Sequence, residues 1–482
     1  MVSRQHLKEK QFEKEICQDF EDQGFIWTNT KDNNIYSTRY GLVISDTLEY
    51  MRKSFPDEYD KLLPEGMDKQ QQEKVIEEFS NHLSKELETQ QKGKAQKGLL
   101  KLLMNGTRVS VNRGKYINIK NFIGLYNDPL VETSKNEYDN NIFRVMQQVR
   151  VDENSNETID IVIFVNGFPI FSMELKSDYQ QSVVDAIEQY KNDRIPSPTR
   201  KLLIPGRLFA HFAVSNDEVY MTTYLEGKET RFVPFNKGDE DGRAGNPFNP
   251  HGHNTDYLWK DYLSSDNIIS LIKNYILVEP AKKGLGERYI LPRYHQYRAV
   301  ENVIRDIHKN GRGNSYLLAH STGAGKTKTI SWLAKYGHTE YIDESEKMFK
   351  DILLISDRTS LDKNIVEAIK NINAHKGVVV NIDNLHGKSK SQQLHDILKD
   401  KGSHIITCTV QTFPVLLGLL TSENFSNNKY CLIIDEAHSS QSGKVASDTI
   451  EVLAHNRLET TGDIDVDLEQ LESDIANAKN IT

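Results

Sequence analysis

The sequence predicts an α/β protein in two parts: a mixed sheet flanked by helices, followed by a parallel α/β lobe. Three observations predict it. Residues 140 to 235 carry short β-branched and aromatic runs such as VRVDENSNETIDIVIFV and HFAVSNDEVYMTTYL, the composition of strands. From about residue 290 strand-like and helix-like segments alternate (SYLLA, TISWLAKY, DILLIS, NIVEAIKNI, GVVVNI, HIITCTV, YCLIID), as parallel sheets require. Between the two, residues 236 to 254, NKGDEDGRAGNPFNPHGHN, concentrate Gly, Asn and Pro, which marks a long loop and a candidate domain edge.

The N-terminal segment HLKEKQFEKEICQDFEDQGF sets Phe12, Ile16 and Phe20 four apart, a helix with one narrow apolar stripe. Residues 57 to 103 read as charged helices with a solvated face, inserted into the first part. YLWKDYLSSDNIISLIKNYILV reads as helices leading to the second. The expected boundaries are 1–260 for the first domain, 261–290 for a helical linker and 291–482 for the second domain. No internal repeat is evident.

At 482 residues the chain is long enough for two to four domains, each with its own core. Its 37% hydrophobic and 27% charged content, with a mean hydropathy of −0.59, is that of a globular protein rather than a disordered or membrane one. No apolar run reaches the roughly 18 to 20 residues that span a bilayer, and the start MVSRQHLKEK lacks the apolar core of a signal peptide. A cytoplasmic protein is expected. Cys17, Cys408 and Cys431 are far apart, which argues against a disulfide frame or a cysteine metal site. A net charge of −9 argues against nonspecific coating of nucleic acid; if DNA is the partner, the contacts must be concentrated.

The stretch DIVIFVNGFPIFSMELKSDY, residues 160 to 179, opens on Asp160 and closes its apolar run with Glu174 and Lys176, which share a face because strand side chains alternate. Asn166-Gly167 signals a tight hairpin. A strict two-residue turn pairs Val165 with Phe168, sets Asp160 opposite Met173 and sends Glu174 to the other face. A one-residue adjustment, from a three-residue turn or a bulge near Pro169, instead sets Asp160 across from Glu174, with α-carbons about 4.5 to 5.5 Å apart. Proline favours the second, since it cannot serve a regular ladder. Two carboxylates held about 5 Å apart repel by roughly 3 kcal/mol at an effective dielectric near 20. A divalent cation removes that cost, and magnesium suits a site with one or two protein carboxylates. Lys176 would then orient, or help deprotonate, the water that attacks a phosphodiester.

Asp160, followed after an apolar hairpin by Glu174-Leu175-Lys176, resembles the PD-(D/E)xK nuclease superfamily. The resemblance implies metal-dependent cleavage of DNA, with Asp160 and Glu174 as metal ligands, the Leu175 carbonyl as a possible further ligand and an acid on the first helix, Glu13, as an accessory. Many members carry Gln-x-x-x-Tyr on the following helix. Here Gln189 and Tyr190 are adjacent and Ala186 stands where that Gln would fall, which leaves the roles of Gln189 and Tyr190 open.

SYLLAHSTGAGKTKTISWLAKY carries the second site. An apolar strand runs into a Gly-containing turn that opens a helix, so Gly323 and Gly325 let backbone N–H groups approach phosphates at a positive helix terminus. Lys326 reaches the β- and γ-phosphates and Thr327 ligates magnesium. His320 replaces the first glycine of the usual phosphate loop, but the Thr322-Gly-x-Gly-Lys-Thr form resembles that of superfamily 2 helicases and translocases. YCLIIDEAHSS is a strand ending in Asp435-Glu436-Ala437-His438, an acid pair at the carboxyl end where ligands bind. Asp435 would hold the magnesium and Glu436 polarise the attacking water. Resemblance to the DEAH box makes His438 a coupling residue. LPRYHQYRAV resembles an adenine-recognising segment, with Gln296 as base contact. Arg358, Thr409, Gln411 and Thr412 fall where such motors contact the DNA backbone.

A metal nuclease followed by a superfamily 2 motor resembles the R subunit of type I restriction-modification enzymes, the HsdR family, as do VNGFPIFSMELK, HFAVSNDEVYMTT and LPRYHQYRAVENV. The family's work is ATP-driven translocation of double-stranded DNA and its cleavage, with methyltransferase and specificity subunits as partners. Domain 1–260 is then the endonuclease and 291–482 the first RecA-like lobe. No S-A-T motif or second lobe follows His438, so the expectation is an N-terminal part of a longer polypeptide, able to bind nucleotide but not to translocate. The alternatives are a repair or recombination nuclease-helicase acting on DNA ends, and a non-catalytic docking fragment.

Overall fold

The computed structural model describes residues 4–29, 35–88, 98–112, 115–126, 129–177, 182–238, 244–279, 288–343, 345–356, 378–382, 390–400, 402–409 and 429–435. The chain divides into two compact units, with the division between His295 and Gln296.

Unit 1 is built on a seven-stranded mixed sheet. Its strands are β1 (Ile26–Thr28), β4 (Phe143–Arg150), β5 (Thr158–Val165), β6 (Phe168–Leu175), β7 (Ala210–Val214), β8 (Val219–Thr222) and β9 (Val233–Pro234), in that spatial order. β1 with β4 and β6 with β7 are parallel pairs, and the others run antiparallel. β2 (Thr107–Asn112) and β3 (Lys115–Ile119) form a separate antiparallel pair. Helix α1 (Arg4–Asp22) buries the expected stripe of Phe12, Ile16 and Phe20. The charged segment forms α3 (Pro56–Leu62), α4 (Lys69–Leu87) and α5 (Leu99–Asn105), after α2 (Ile44–Ser54). Asp68 caps α4 by accepting the Gln71 N–H.

α6 (Glu132–Asp139) precedes β4, and α7 (Val183–Asn192) follows β6. Ser182 opens α7: its hydroxyl accepts the Val184 N–H while Asp185 accepts the Ser182 N–H. Beyond the Gly- and Asn-rich loop, helical turns at Leu258–Tyr262 and Leu271–Tyr275 flank α8 (Ser265–Ser270). They belong to unit 1: Trp259 and Tyr262 are fully buried, and Tyr262 packs on Phe235 and Phe212. β10 (Leu277–Glu279) and β11 (Arg288–Ile290) pair antiparallel.

In unit 2, α9 (Tyr294–Asn310), whose first turn holds the division, and α10 (Lys326–Thr339) precede a four-stranded all-parallel sheet, order β13-β14-β12-β15. The strands are β12 (Asp351–Ser356), β13 (Val379–Asn381), β14 (Ile405–Thr409) and β15 (Tyr430–Ile434), with α11 (Lys390–Lys399) before β14. The central strands β12 and β14 are buried along their whole length, as expected of parallel strands, while the outer β13 and β15 are half-buried. SYLLA forms no strand. Residues 315–319 join no ladder, and Tyr316, Leu317 and Leu318 are 40%, 84% and 37% exposed. A strand is a property of a pair, and β-type composition alone does not supply the partner.

Candidate functional site

The hairpin between β5 and β6 positions the first site. Asn166 and Gly167 both have positive φ, 51° and 84°, which gives the tight primed turn that matches strand twist. Val165 pairs with Phe168 and Phe164 with Pro169; then Ile163 pairs with Phe171, so Ile170 is an extra residue bulged out beside the proline. Ile161 therefore faces Met173, the last paired position of the ladder, and the same register continued one step sets Asp160 across from Glu174. The turn is locked from outside. Asn166 donates to the Phe122 carbonyl and to Asn141, and accepts the Ile142 N–H; Thr47 donates to the Asn166 carbonyl and Val43 N–H to that of Gly167.

At the open end of the hairpin the acids are differently held. Asp160 Oδ2 accepts the Leu175 N–H at 2.8 Å, and its Oδ1 accepts from Gln148 Nε2 at 3.0 Å. Gln148 belongs to β4, where the flanking pairs Gln147 with Ile161 and Val149 with Ile159 set it beside Asp160. Its φ of 49° is left-handed, uncommon for a non-glycine residue. Thr158 Oγ1 donates to Gln148 Oε1 at 2.7 Å, which fixes the amide so that Nε2 faces the acids, and Nε2 also donates to Glu13 Oε1 at 3.2 Å. Burial, and then the charge of Asp160, push the Glu13 carboxyl up to about 8.

Glu174 is fully buried. Oε1 accepts from Arg194 Nε at 2.7 Å, while Oε2 is buried with no hydrogen-bond partner. Burial raises its carboxyl well above the usual range, the charge of Asp160 raises it further, and Arg194 and Lys176 oppose the shift. Lys176, 8% exposed, donates to Glu9 Oε1 at 3.0 Å; Glu9 lies one helical turn before Glu13 on α1. Tyr190 and Ser172 share a buried hydrogen bond, and Ser172 bonds His211, whose burial drops its imidazole to about 3 and keeps it neutral. Tyr190 is thus a core hydroxyl beside the acids, and Gln189 lies half-buried one residue before it. Among the described residues no group of three or more His, Cys, Asp or Glu side chains converges as a metal cage. The donors on offer are the Asp160 and Glu174 carboxylates, and Glu174 Oε2, buried without a hydrogen-bond partner, is an oxygen that a divalent cation would satisfy.

Sequence reasoning missed Gln148, Arg194 and Glu9. Adjacent Gln147 and Gln148 break the strand alternation and could have signalled the irregularity. Arg194 and Glu9 carry no comparable signal.

In unit 2, Gly323 and Gly325 have φ of 80° and 89°, and Gly325 precedes α10, whose first residues are Lys326 and Thr327. Thr322 is exposed in the turn before them, and Ala324 N–H donates back to Ser321. Gln296 is buried, and its Nε2 donates to the Gly325 carbonyl at 3.1 Å, so the upstream glutamine braces the phosphate loop. Asp435 is buried at the carboxyl end of β15, its N–H bonded to the Ile355 carbonyl. Thr409 ends β14, also buried. Glu436, His438, Arg358, Gln411 and Thr412 lie outside the described residues.

Fold and site define a class: an α/β protein that joins an acid-bearing mixed sheet to a nucleotide-binding parallel lobe. Comparisons with known proteins name it further. Residues 6–230 match the family model for the type I restriction enzyme R protein N terminus, and residues 295–461 match that for the SWI2/SNF2 ATPase. A putative type I restriction enzyme MjaVIIIP endonuclease subunit of Methanocaldococcus jannaschii is 25% identical over 371 residues, 72% of this chain and 33% of that protein. The SauCOLORF180P endonuclease subunit of Staphylococcus aureus is 26% identical over 311 residues, 63% of this chain and 30% of that one. The HindI endonuclease subunit of Haemophilus influenzae is 23% identical over 325 residues, covering 63% and 28%. Nearly half of the chain thus matches the type I restriction enzyme R-protein N-terminal family model, and the curated relatives it resembles are type I restriction enzyme endonuclease subunits. It spans about a third of the length of the curated relatives it matches.

Proposed function

We propose that this chain provides the cleavage site and the ATP-binding lobe of a type I restriction enzyme, which cuts double-stranded DNA in a metal-dependent reaction coupled to ATP-driven translocation. On this reading unit 1 is a PD-(D/E)xK nuclease. The observation that carries it is the bulge at Ile170, which makes Asp160 face Glu174 with Lys176 one alternation further on. A regular hairpin would have no reason to spend a bulge, a buried carboxylate and an unpartnered oxygen on this rim.

A divalent cation, magnesium by its preference for a few carboxylates and water, would be held by Asp160 and Glu174 and would supply charge neutralisation at the phosphodiester. The chain's own groups do the rest. The Leu175 N–H and Gln148 fix the Asp160 carboxylate. Lys176 carries the proton-handling and phosphate-facing charge, and Glu9 holds it in the meantime. In unit 2, Thr322, Gly323, Gly325 and Lys326 would cradle the ATP phosphates, Thr327 and Asp435 the accompanying magnesium, Gln296 the base, and Glu436 the attacking water. The SWI2/SNF2 ATPase match supports that assignment. Methyltransferase and specificity subunits are the partners this function requires, in the cytoplasm, with the nuclease in unit 1, which takes in the 261–290 segment expected as a linker, and the ATP-binding lobe in unit 2. No helix among the described residues is long and apolar enough to cross a membrane.

The test is a cleavage assay on circular DNA, with the chain supplied in its assembled enzyme. Cutting that needs ATP and magnesium and is lost in Asp160→Ala, with assembly intact, supports the reading. Undiminished cutting by Asp160→Ala refutes the catalytic site. Cutting of linear DNA without methyltransferase partners favours an end-processing nuclease instead.

A further inference from the structure

The acid pair is asymmetric. Asp160 is half-buried and held by two neutral donors, whereas Glu174 is fully buried and touches one charged donor, Arg194. Arg194 is itself 5% exposed, two residues beyond α7. Its Nη2 donates to the Thr158 carbonyl at 2.6 Å and its Nη1 lies 3.9 Å from Glu157, so the guanidinium is tied to β5 before it meets Glu174 on β6. One planar group thus bridges the two strands that carry the acids, 20 residues from the carboxylate it holds.

The consequence for Glu174 is geometric. A glutamate has three rotatable bonds, and a buried one with no fixed partner would sample several rotamers. The short Nε contact consumes Oε1 and fixes the carboxylate plane, and it leaves Oε2 as the oxygen without a partner. A guanidinium does this better than an ammonium because its donors are fixed in a plane and can serve two acceptors at once.

We propose that Arg194 is the positioning residue of the metal site: it clamps Glu174 Oε1 against β5 and presents Glu174 Oε2 as the oxygen that meets a divalent cation. The inference rests on the reading of Asp160 and Glu174 as metal ligands. Groups that orient a metal ligand from behind typically contribute 10- to 100-fold in metal affinity. Arg194→Met is therefore expected to weaken binding of Mn²⁺ by about that factor, with Arg194→Lys recovering part of the loss because one charged donor is restored.

The experiment titrates the full chain, free of nucleotide, with Mn²⁺ and counts free metal by electron paramagnetic resonance, alongside the thermal unfolding of each variant. Wild type, Asp160→Ala, Glu174→Gln, Arg194→Met, Arg194→Lys and the Glu174→Gln/Arg194→Met pair are compared. The inference predicts weaker binding in Arg194→Met, an intermediate value in Arg194→Lys, and no further loss when Arg194→Met is added to Glu174→Gln. If Arg194→Met does not fold, the folded Arg194→Lys carries the test, and wild-type affinity in it overturns the proposal. Wild-type affinity in folded Arg194→Met likewise overturns it, while Asp160→Ala still loses metal and the nuclease reading stands. Equal Mn²⁺ binding in wild type, Asp160→Ala and Glu174→Gln sinks the metal-site reading itself.

Discussion

Gly167→Ala tests whether the hairpin tip governs the acids at its other end. Gly167 has φ 84°, and a β-carbon there would lie 2.2 Å from the Val43 carbonyl oxygen and 2.4 Å from Thr47 Oγ1. Left-handed backbone costs an alanine about 1 to 2 kcal/mol. Relieving a clash with backbone adds about 1 to 3 kcal/mol. The reduced freedom of the unfolded chain returns about 0.4 to 1 kcal/mol. The net is about 3 kcal/mol, or on the order of 100-fold in the opening equilibrium. Gly24→Ala is the control: Gly24 has φ 93° with nothing within 4 Å of a β-carbon, so about 1 kcal/mol is expected from backbone strain alone. Hydrogen exchange by mass spectrometry, read on peptides covering residues 158–175, should show about 100-fold faster opening in Gly167→Ala. Exchange within about fivefold of wild type would refute the clash, and with it the claim that the tip is locked.

Two further outcomes follow from buried charge. Glu13 is unprotonated above about 4.5 in the unfolded chain but holds its proton to about 8 when folded. Its contribution to stability is therefore full below 4.5 and is lost as pH rises toward 8. In chelator-treated protein, the stability of wild type relative to Glu13→Gln should fall between pH 5 and 9 by on the order of a few kcal/mol, and a flat difference would contradict the assignment. Arg144 meets Asp46 with two buried hydrogen bonds, at 2.7 and 2.8 Å, and Thr28 with a third. Asp46→Ala should cost about 3 to 5 kcal/mol in urea unfolding because it strands the guanidinium, and Asp46→Leu/Arg144→Met should recover most of that.

The sequence made some of this readable and hid the rest for physical reasons. Runs of Val, Ile and Phe marked β5 and β6, the Asn-Gly pair marked their turn, and Pro169 marked the place where the ladder fails, so the facing of Asp160 and Glu174 could be weighed from residues alone. The phosphate loop was equally plain, because glycines with positive φ before a helix are a local requirement. What holds the acids was not local. Gln148 has a left-handed backbone and joins Asp160, Thr158 and Glu13 through its amide, Arg194 reaches back 20 residues, and the Lys176–Glu9 contact joins positions 167 apart. The SYLLA run has the composition of a strand, yet composition carries no information about whether a partner edge will be in reach.

The bulge at Ile170 also bears on how such sites are sought in other chains. Asp160 and Glu174 are 14 positions apart (174 minus 160), an interval that works only because one residue is looped out of register. A chain with the same turn and no extra residue would juxtapose acids 13 apart. Counting letters between two carboxylates therefore identifies nothing by itself: the parity of the interval has meaning only once the hairpin's irregularities are known.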